Sequence, residues 1–410
     1  MRMIVRALCL CLLLPAASDG AARAQQQSAP HAGSSLSSLD GKDSFTMPFE
    51  MVDNRIFVDV RLEGRGPFKL ILDTGGGSAL SVETARKIGA KRGAEVEGRG
   101  AGESVVKAWE TSVRETRLGG LVLTDQDYSV FDFSDMRHVF GSQMFDGVIG
   151  LPLFRQAVVR VDYAQGLLTF TRPSKFSYGG GGAVVPFELE GVIPIVRGEV
   201  DAVAARFGLD TGDRSAFTLK SPFVEEYKLR EKYAPRVEAV TGWGIGGPIR
   251  AQVVRVGALK FGGFEIGGPV TRLSLQKAGA FAASDTAGNI GGAILKQFTV
   301  TFDYTRRRLY LEKNSTYGRR DTYDRAGLWL SGSADGRAFE VFDVVARGPA
   351  AEAGLKAGDR ILRVDGRSVE SLPLIEARSE LKDARRRSVR LTVEDGARTR
   401  EVVVQLRDLV

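Results

Sequence analysis

The sequence predicts a mainly β protein: a bilobal unit made of two related halves, followed by a smaller β-rich domain. Three observations predict it. Glycine is abundant (49) and proline is not (14), a balance that suits short strands joined by tight turns. Apolar and polar residues alternate over short runs, as in Val58, Val60 and Leu62 against Asp59 and Arg61, which is the pattern of a half-buried strand. Matched segments recur in the same order at a nearly constant offset of about 140 residues, which marks an internal repeat. At 410 residues the chain has room for two or three domains with real cores.

Taken in order, residues 1–24 read as a cleaved secretory signal. Arg2 and Arg6 supply the positive end, residues 7–14 an apolar core, and Ala22-Arg23-Ala24 a small-x-small cleavage site. The apolar run is too short to span a bilayer comfortably. The expected location is therefore periplasmic or secreted. Cys9 and Cys11 both fall in this segment, so the mature chain would carry no thiol and no disulfide, which fits a bacterial periplasm. Residues 25–44, rich in Gln, Ser, Ala and Gly, read as a disordered linker.

The first lobe is expected over residues 45–171. Strands over 56–62 and 68–72, joined by the turn Glu63-Gly64-Arg65-Gly66-Pro67, lead into Asp73. Ser81 can cap a short helix that Gly89 ends. The second lobe, residues 183–313, repeats the first. Met47-Pro48-Phe49-Glu50-Met51 matches Val185-Pro186-Phe187-Glu188-Leu189, and Asp73-Thr74-Gly75 matches Asp210-Thr211-Gly212. Gly98-Arg99-Gly100-Ala101-Gly102 matches Gly242-Trp243-Gly244-Ile245-Gly246. Val148-Ile149-Gly150 matches Asn289-Ile290-Gly291, and Val161-Asp162-Tyr163 matches Phe302-Asp303-Tyr304. Gly179-Gly180-Gly181-Gly182 reads as a flexible joint between the lobes.

After Lys313 the composition shifts, and residues 314–325 read as a polar linker. Residues 326–410 form the third unit. Strands are expected around 339–345, 361–364, 389–393 and 402–406, and helices over 349–353 and 374–386.

Composition removes several kinds of chemistry. The histidines are His31 and His138, which leaves no Ser-His-Asp triad, no Cys-His pair and no His-rich zinc site. No metal and no cofactor are expected. The 57 basic and 50 acidic residues give a net charge of +7, but they are interspersed. No basic stripe with interleaved aromatics forms, so no nucleic acid is expected as a partner.

Acid–base chemistry must then come from Asp, Glu, Lys or Tyr. A single Asp-Thr-Gly is usually just a turn. Two in the same context suggest that two carboxylates are meant to meet. Two carboxylates within hydrogen-bond reach share one proton, so one can accept a proton from water while the other polarises a carbonyl. Gly75 and Gly212 would let the backbones approach, and the hydroxyls of Thr74 and Thr211 can tie the two turns together across a pseudo-twofold axis.

On these paired motifs, residues 45–313 resemble the retropepsin-like and pepsin-like aspartic proteases. The resemblance implies a catalytic pair, Asp73 and Asp210, supported by Thr74, Gly75, Thr211, Gly212 and Asp213. It makes Val148-Ile149-Gly150 and Asn289-Ile290-Gly291 the second signature beside each catalytic loop. It also implies substrate-covering flaps at Gly100 and Gly102 and at Gly244 and Gly246. Because both halves carry a flap candidate, the chain looks more like a fused retropepsin dimer than a pepsin, and it should act as a monomer.

Two positions depart from the family pattern. Gly76 and Asp213 stand where Ser, Thr or Ala is usual; Gly76 brings no hydroxyl and Asp213 adds a charge. If Asp213 turns inward it raises the titration of the pair. If it faces solvent or pairs with Arg214 it does not.

Residues 326–406 resemble a PDZ domain. Gly327-Leu328-Trp329-Leu330 stands at its carboxylate-binding loop, and the segment from Pro349 through Gly358-Asp359-Arg360-Ile361 looks like PDZ domains of bacterial envelope proteases. The resemblance implies binding of C-terminal peptide tails with an apolar last residue. The expected function is an exported aspartic endopeptidase acting on peptide or protein substrates. The alternative is a catalytically weak or inactive peptide-binding envelope protein with the same fold. A third reading makes the lobes a mere holder for a PDZ scaffold.

Overall fold

The computed structural model of the chain describes residues 35–141 and 145–410, so the expected signal segment lies outside the described residues. The fold is mainly β. In the first lobe Arg55–Leu62 and Arg65–Leu72 form an antiparallel pair. Gly147–Ile149 lies parallel to the end of the second strand and antiparallel to Ala79–Ser81, which runs parallel to Ser129-Val130-Phe131. The second lobe repeats these relations. Gly288–Gly291 is parallel to the end of Val203–Asp210 and antiparallel to Phe217–Leu219, which is parallel to Val270–Ser274. In each lobe a central strand, apolar on both faces near its end, delivers an aspartate at its last residue or one beyond it.

A six-stranded sheet joins the lobes. Its order is Ala183–Pro186, Arg308–Lys313, Phe298–Asp303, Val158–Asp162, Leu167–Thr171, Ser44–Pro48. Across its centre Val159 faces Phe302 and Val161 faces Val300. The matched segments at Pro48 and Pro186 occupy opposite edges. One apolar core runs through both lobes, including Leu72, Ile149, Phe154, Leu209, Ile290 and Phe302. Each such side chain contributes about 1.5–3 kcal/mol on burial, so the relative position of the lobes is set by packing rather than by a hinge.

Local signals act as expected at the first helix. Ser81 accepts the N–H of Thr84 at 3.0 Å, and Gly89 ends the helix with φ 70°. Three segments differ from expectation. Residues 35–39, placed in a disordered linker, form a strand on Leu121–Phe131, because Leu36 and Leu39 give it an apolar face and Leu39 is fully buried. Residues 314–325 are not a free linker: Asp321 accepts from Arg255 Nη1 and from the N–H of Val270, both at 3.2 Å. The helix expected over 374–386 is Leu374–Glu380. It stops early because Asp383 turns back onto the N–H of Arg385, and Arg325 binds the carbonyls of Asp383 and Arg386.

The C-terminal unit has its own sheet, in the order Leu328–Gly332, Phe339–Val344, Arg360–Val364, Ser388–Asp395, Arg398–Gln405, and its own core. Among the described residues, no helix is long and apolar enough to cross a membrane.

Candidate active site

The ends of Arg65–Leu72 and Val203–Asp210 bring Asp73 and Asp210 face to face, each carboxyl group against the glycine of the other aspartate's turn. The glycines are required by this approach. A Cβ on Gly75 would sit 2.6 Å from Cγ of Asp210, and one on Gly212 would sit 2.5 Å from Cγ of Asp73. Each aspartate is held from its own turn. The Gly75 N–H donates to Asp73 Oδ1 at 2.7 Å, and the N–H groups of Gly212 and Asp213 both donate to Asp210 Oδ1 at 2.9 Å.

The threonines lock the two turns reciprocally. Thr74 Oγ1 donates to the Leu209 carbonyl and Thr211 Oγ1 to the Leu72 carbonyl, both at 2.7 Å. Each hydroxyl also accepts the other threonine's N–H at 3.0 Å. Both side chains are buried, so all four bonds are shielded from water and rigidify the pair.

Burial pushes Asp73 and Asp210 above the usual carboxylate range. Asp210 is driven higher still by the charges of Asp73 and Asp213. A coupled pair of this kind holds one proton between two groups over a broad pH interval.

Asn289, from the second signature that the resemblance placed beside the catalytic loop, and three residues that sequence reasoning did not single out complete the site. Asn289 donates from Nδ2 to Asp210 Oδ2 at 3.2 Å. A tight turn at Asp53-Asn54, with φ of 48° and 63°, sends three side chains across to the second lobe's loop. Arg55 Nε donates to the Gly212 carbonyl at 2.8 Å, Asn54 Nδ2 to the Arg214 carbonyl at 2.8 Å, and Asp53 pairs with Arg214 at 2.5 Å. Burial alone would raise the Asp53 carboxyl, but Arg214, Lys382 and Arg55 outweigh it and hold it well below the usual range. The available signal was an arginine entering an otherwise apolar strand at Arg55-Ile56-Phe57-Val58.

Asp213 turns inward. It accepts from the N–H and Oγ of Ser215 at 2.9 and 2.7 Å and pairs with Arg272 at 3.4 Å. A pairing with its neighbour Arg214 does not occur, because Arg214 is taken by Asp53. Gly76 lies beside Asp73: a Cβ there would be 3.1 Å from Oδ2.

The glycine-rich hairpins of the two lobes meet at their tips. The N–H of Gly102 donates to the Ile245 carbonyl at 2.9 Å, and that of Ser104 to the Gly246 carbonyl at 3.0 Å. Gly100 and Gly244 lie in the same contact, where added Cβ atoms would come within 2.7 Å of Ile245 and 2.9 Å of Ala101.

The expected carboxylate-binding loop of the C-terminal unit is not open. Leu328–Gly332 is an edge strand, and the side chains of Leu328, Trp329 and Leu330 are buried. The N–H groups of Ala326, Gly327 and Leu328 all donate to Asp324 Oδ1. Trp329 lies between two guanidinium groups, with Arg378 at 4.3 Å and Arg214 at 5.6 Å from its ring centre. Trp243 stacks on His138 at 4.4 Å. Among the described residues, no cluster of His, Cys, Asp or Glu is arranged to hold a metal ion.

Two parts of the chain match known families. Residues 58–153 match the family model described as aspartyl protease, a span that includes Asp73 and ends before Asp210. Residues 340–395 match the PDZ domain model. No curated protein matches the chain.

Proposed function

We propose that this chain, which joins an aspartyl protease domain to a PDZ domain, is an exported aspartic endopeptidase that works as a monomer. Asp73 and Asp210 are the catalytic pair. The observation that carries the reading is the placement of the two carboxyl groups against each other's turns, which Thr74 and Thr211 lock together.

In the singly ionised pair, the carboxylate takes a proton from a water molecule while its oxygen attacks the peptide carbonyl carbon. The protonated partner gives its proton to the carbonyl oxygen. The resulting tetrahedral diol then collapses, the C–N bond breaks, and a proton passes to the leaving amine. The paired hairpins carrying Gly100, Gly102, Gly244 and Gly246 act as flaps over bound peptide. The PDZ domain recruits proteins through C-terminal tails.

The test is incubation of the secreted form with an unfolded protein, with and without a transition-state-mimicking aspartic protease inhibitor. Inhibitable cleavage that Asp73→Ala abolishes supports the enzyme. Binding without cleavage supports the alternative of a peptide-binding protein, which the missing hydroxyl at Gly76 favours.

A further inference from the structure

The PDZ domain's strand Leu328–Gly332 and helix Leu374–Glu380 border a groove with a free strand edge. In such domains an incoming tail extends the sheet at this edge and places its terminal carboxylate on backbone N–H groups. Both positions are filled here by the chain itself. The short helix Arg137–Phe140 of the first lobe lies against the edge strand. Val139 and Phe140 share an apolar cluster with Ile375 of the groove helix. A Cβ on Gly141 would lie only 3.0 Å from Cβ of Leu374. Arg378 bridges the two walls: Nε donates to the Leu330 carbonyl at 3.1 Å, and Nη1 and Nη2 to the carbonyls of Val139 and His138, both at 2.7 Å. The Leu330 carbonyl faces the open edge and is one that an added strand would use. At the loop, Asp324 Oδ1 accepts three consecutive N–H groups, as a terminal carboxylate would. Beside it opens a cavity of about 960 Å³ whose lining includes Arg214, Arg272, Lys296 and Lys382 but not the dyad.

We propose that residues 138–141 and the Asp324 carboxylate occupy the groove as an intramolecular stand-in for a peptide tail. A partner protein ending in a free carboxylate and an apolar residue binds by displacing them. The inference rests on the tail-binding reading above. The displacement reaches the catalytic lobes through two contacts. Phe140 packs edge-on against Phe57 at 5.4 Å and shares a cluster with Ile71, two residues before Asp73. Trp329 rests on Arg214, whose partner Asp53 belongs to the turn that holds the Gly212 carbonyl. Tail binding and the docked arrangement therefore exclude each other, and the tail's apparent affinity is reduced by the fraction of molecules that are docked.

The experiment uses the full secreted chain and a fluorescein-labelled pool of short random peptides ending in Val, Leu or Phe, with the amidated pool as control. Val139→Asp removes the stand-in without altering the PDZ domain, and Asp324→Ala removes the carboxylate mimic. Each variant should bind the free-carboxylate pool at least about tenfold more tightly than wild type, and neither should bind the amidated pool. In wild type, saturating peptide should accelerate amide exchange over residues 138–141, a readout that does not depend on either variant folding. Equal affinity in wild type and both variants, or unchanged exchange at saturation, overturns self-occupation and leaves tail binding standing. Failure of every form to bind overturns the tail-binding reading and this inference with it.

Discussion

Asn289 donates a hydrogen bond from Nδ2 to Oδ2 of Asp210 at 3.2 Å, and the matched position beside Asp73 is Val148, which has no donor. The pseudo-symmetric pair is thus chemically unequal. A hydrogen bond to a carboxylate favours its charged form. Replacing Asn289 by Val equalises the lobes and disfavours ionisation of Asp210. The basic limb of the pH–rate profile should move to higher pH by about 0.5–1 unit, with the acidic limb less affected, because the charge of Asp73 makes Asp210 the second of the pair to ionise. An unchanged basic limb in the Asn289→Val variant would show that the bond does not bear on the ionised state.

Asp73→Asn and Asp210→Asn should each reduce peptide hydrolysis by about 10²–10⁴-fold or more. Stability should move the other way. Both carboxyls titrate above the usual range because they are buried, so their own contribution to stability is fully present below the unfolded value of about 3.9 and is lost as pH rises through the raised folded values. Removing one buried carboxylate should leave the Tm at pH 7 equal to wild type or higher. A lower Tm in both variants would contradict the linkage.

Asp213 and Arg272 should act on the pair with opposite signs. The Asp213 charge raises the titration of both Asp210 and Asp73, and Arg272 lies 3.4 Å from it. Asp213→Asn should shift both limbs of the pH–rate profile to lower pH, and Arg272→Met should shift both to higher pH. Shifts of the same sign in the two variants would exclude this electrostatic account.

Asp53→Asn leaves two buried guanidinium groups, Arg55 and Arg214, without their carboxylate. The expected cost is about 3–5 kcal/mol by denaturant unfolding at pH 7. The folded Asp53 titrates below its unfolded value, so its contribution is fully present above the unfolded value and is lost as pH falls through the folded one. The gap between variant and wild type should therefore narrow below about pH 4.

Gly102→Val should hold the tips of the two glycine-rich hairpins apart, since an added Cβ would lie 2.2 Å from the carbonyl carbon of Gly246. A fall in kcat/KM of about tenfold or more is expected, given the sensitivity of catalysis to lid closure. Gly179→Ala is the control, because nothing lies within 4 Å of its Cβ position, and it should behave as wild type.

Much of the architecture was legible in the residues. The strand alternation, the helix cap at Ser81 and the repeated motifs all depend on spacing within a few residues, and spacing is what a sequence records directly. The match of Pro48 with Pro186 was legible as a repeat, but only the fold puts the two segments on opposite edges of one sheet. The strand at residues 35–39 was not legible, because its polar composition hid two leucines that find their partner only on a strand far along the chain.

The sequence by itself determined that this protein is mainly β, that Asp-Thr-Gly occurs twice in repeated surroundings, that its cysteines lie in the signal-like segment, and that its histidines are limited to His31 and His138. Only the tertiary structure decided which side chains reach across the lobes. Asp53 takes Arg214, so Asp213 is left to Arg272, and Asn289 but not Val148 meets an aspartate. It also decided that the PDZ groove is closed by residues 138–141 and Asp324. These outcomes are competitions among charged and polar groups for a few buried partners. Distance and burial settle such competitions, and neither is encoded in the local pattern of the chain.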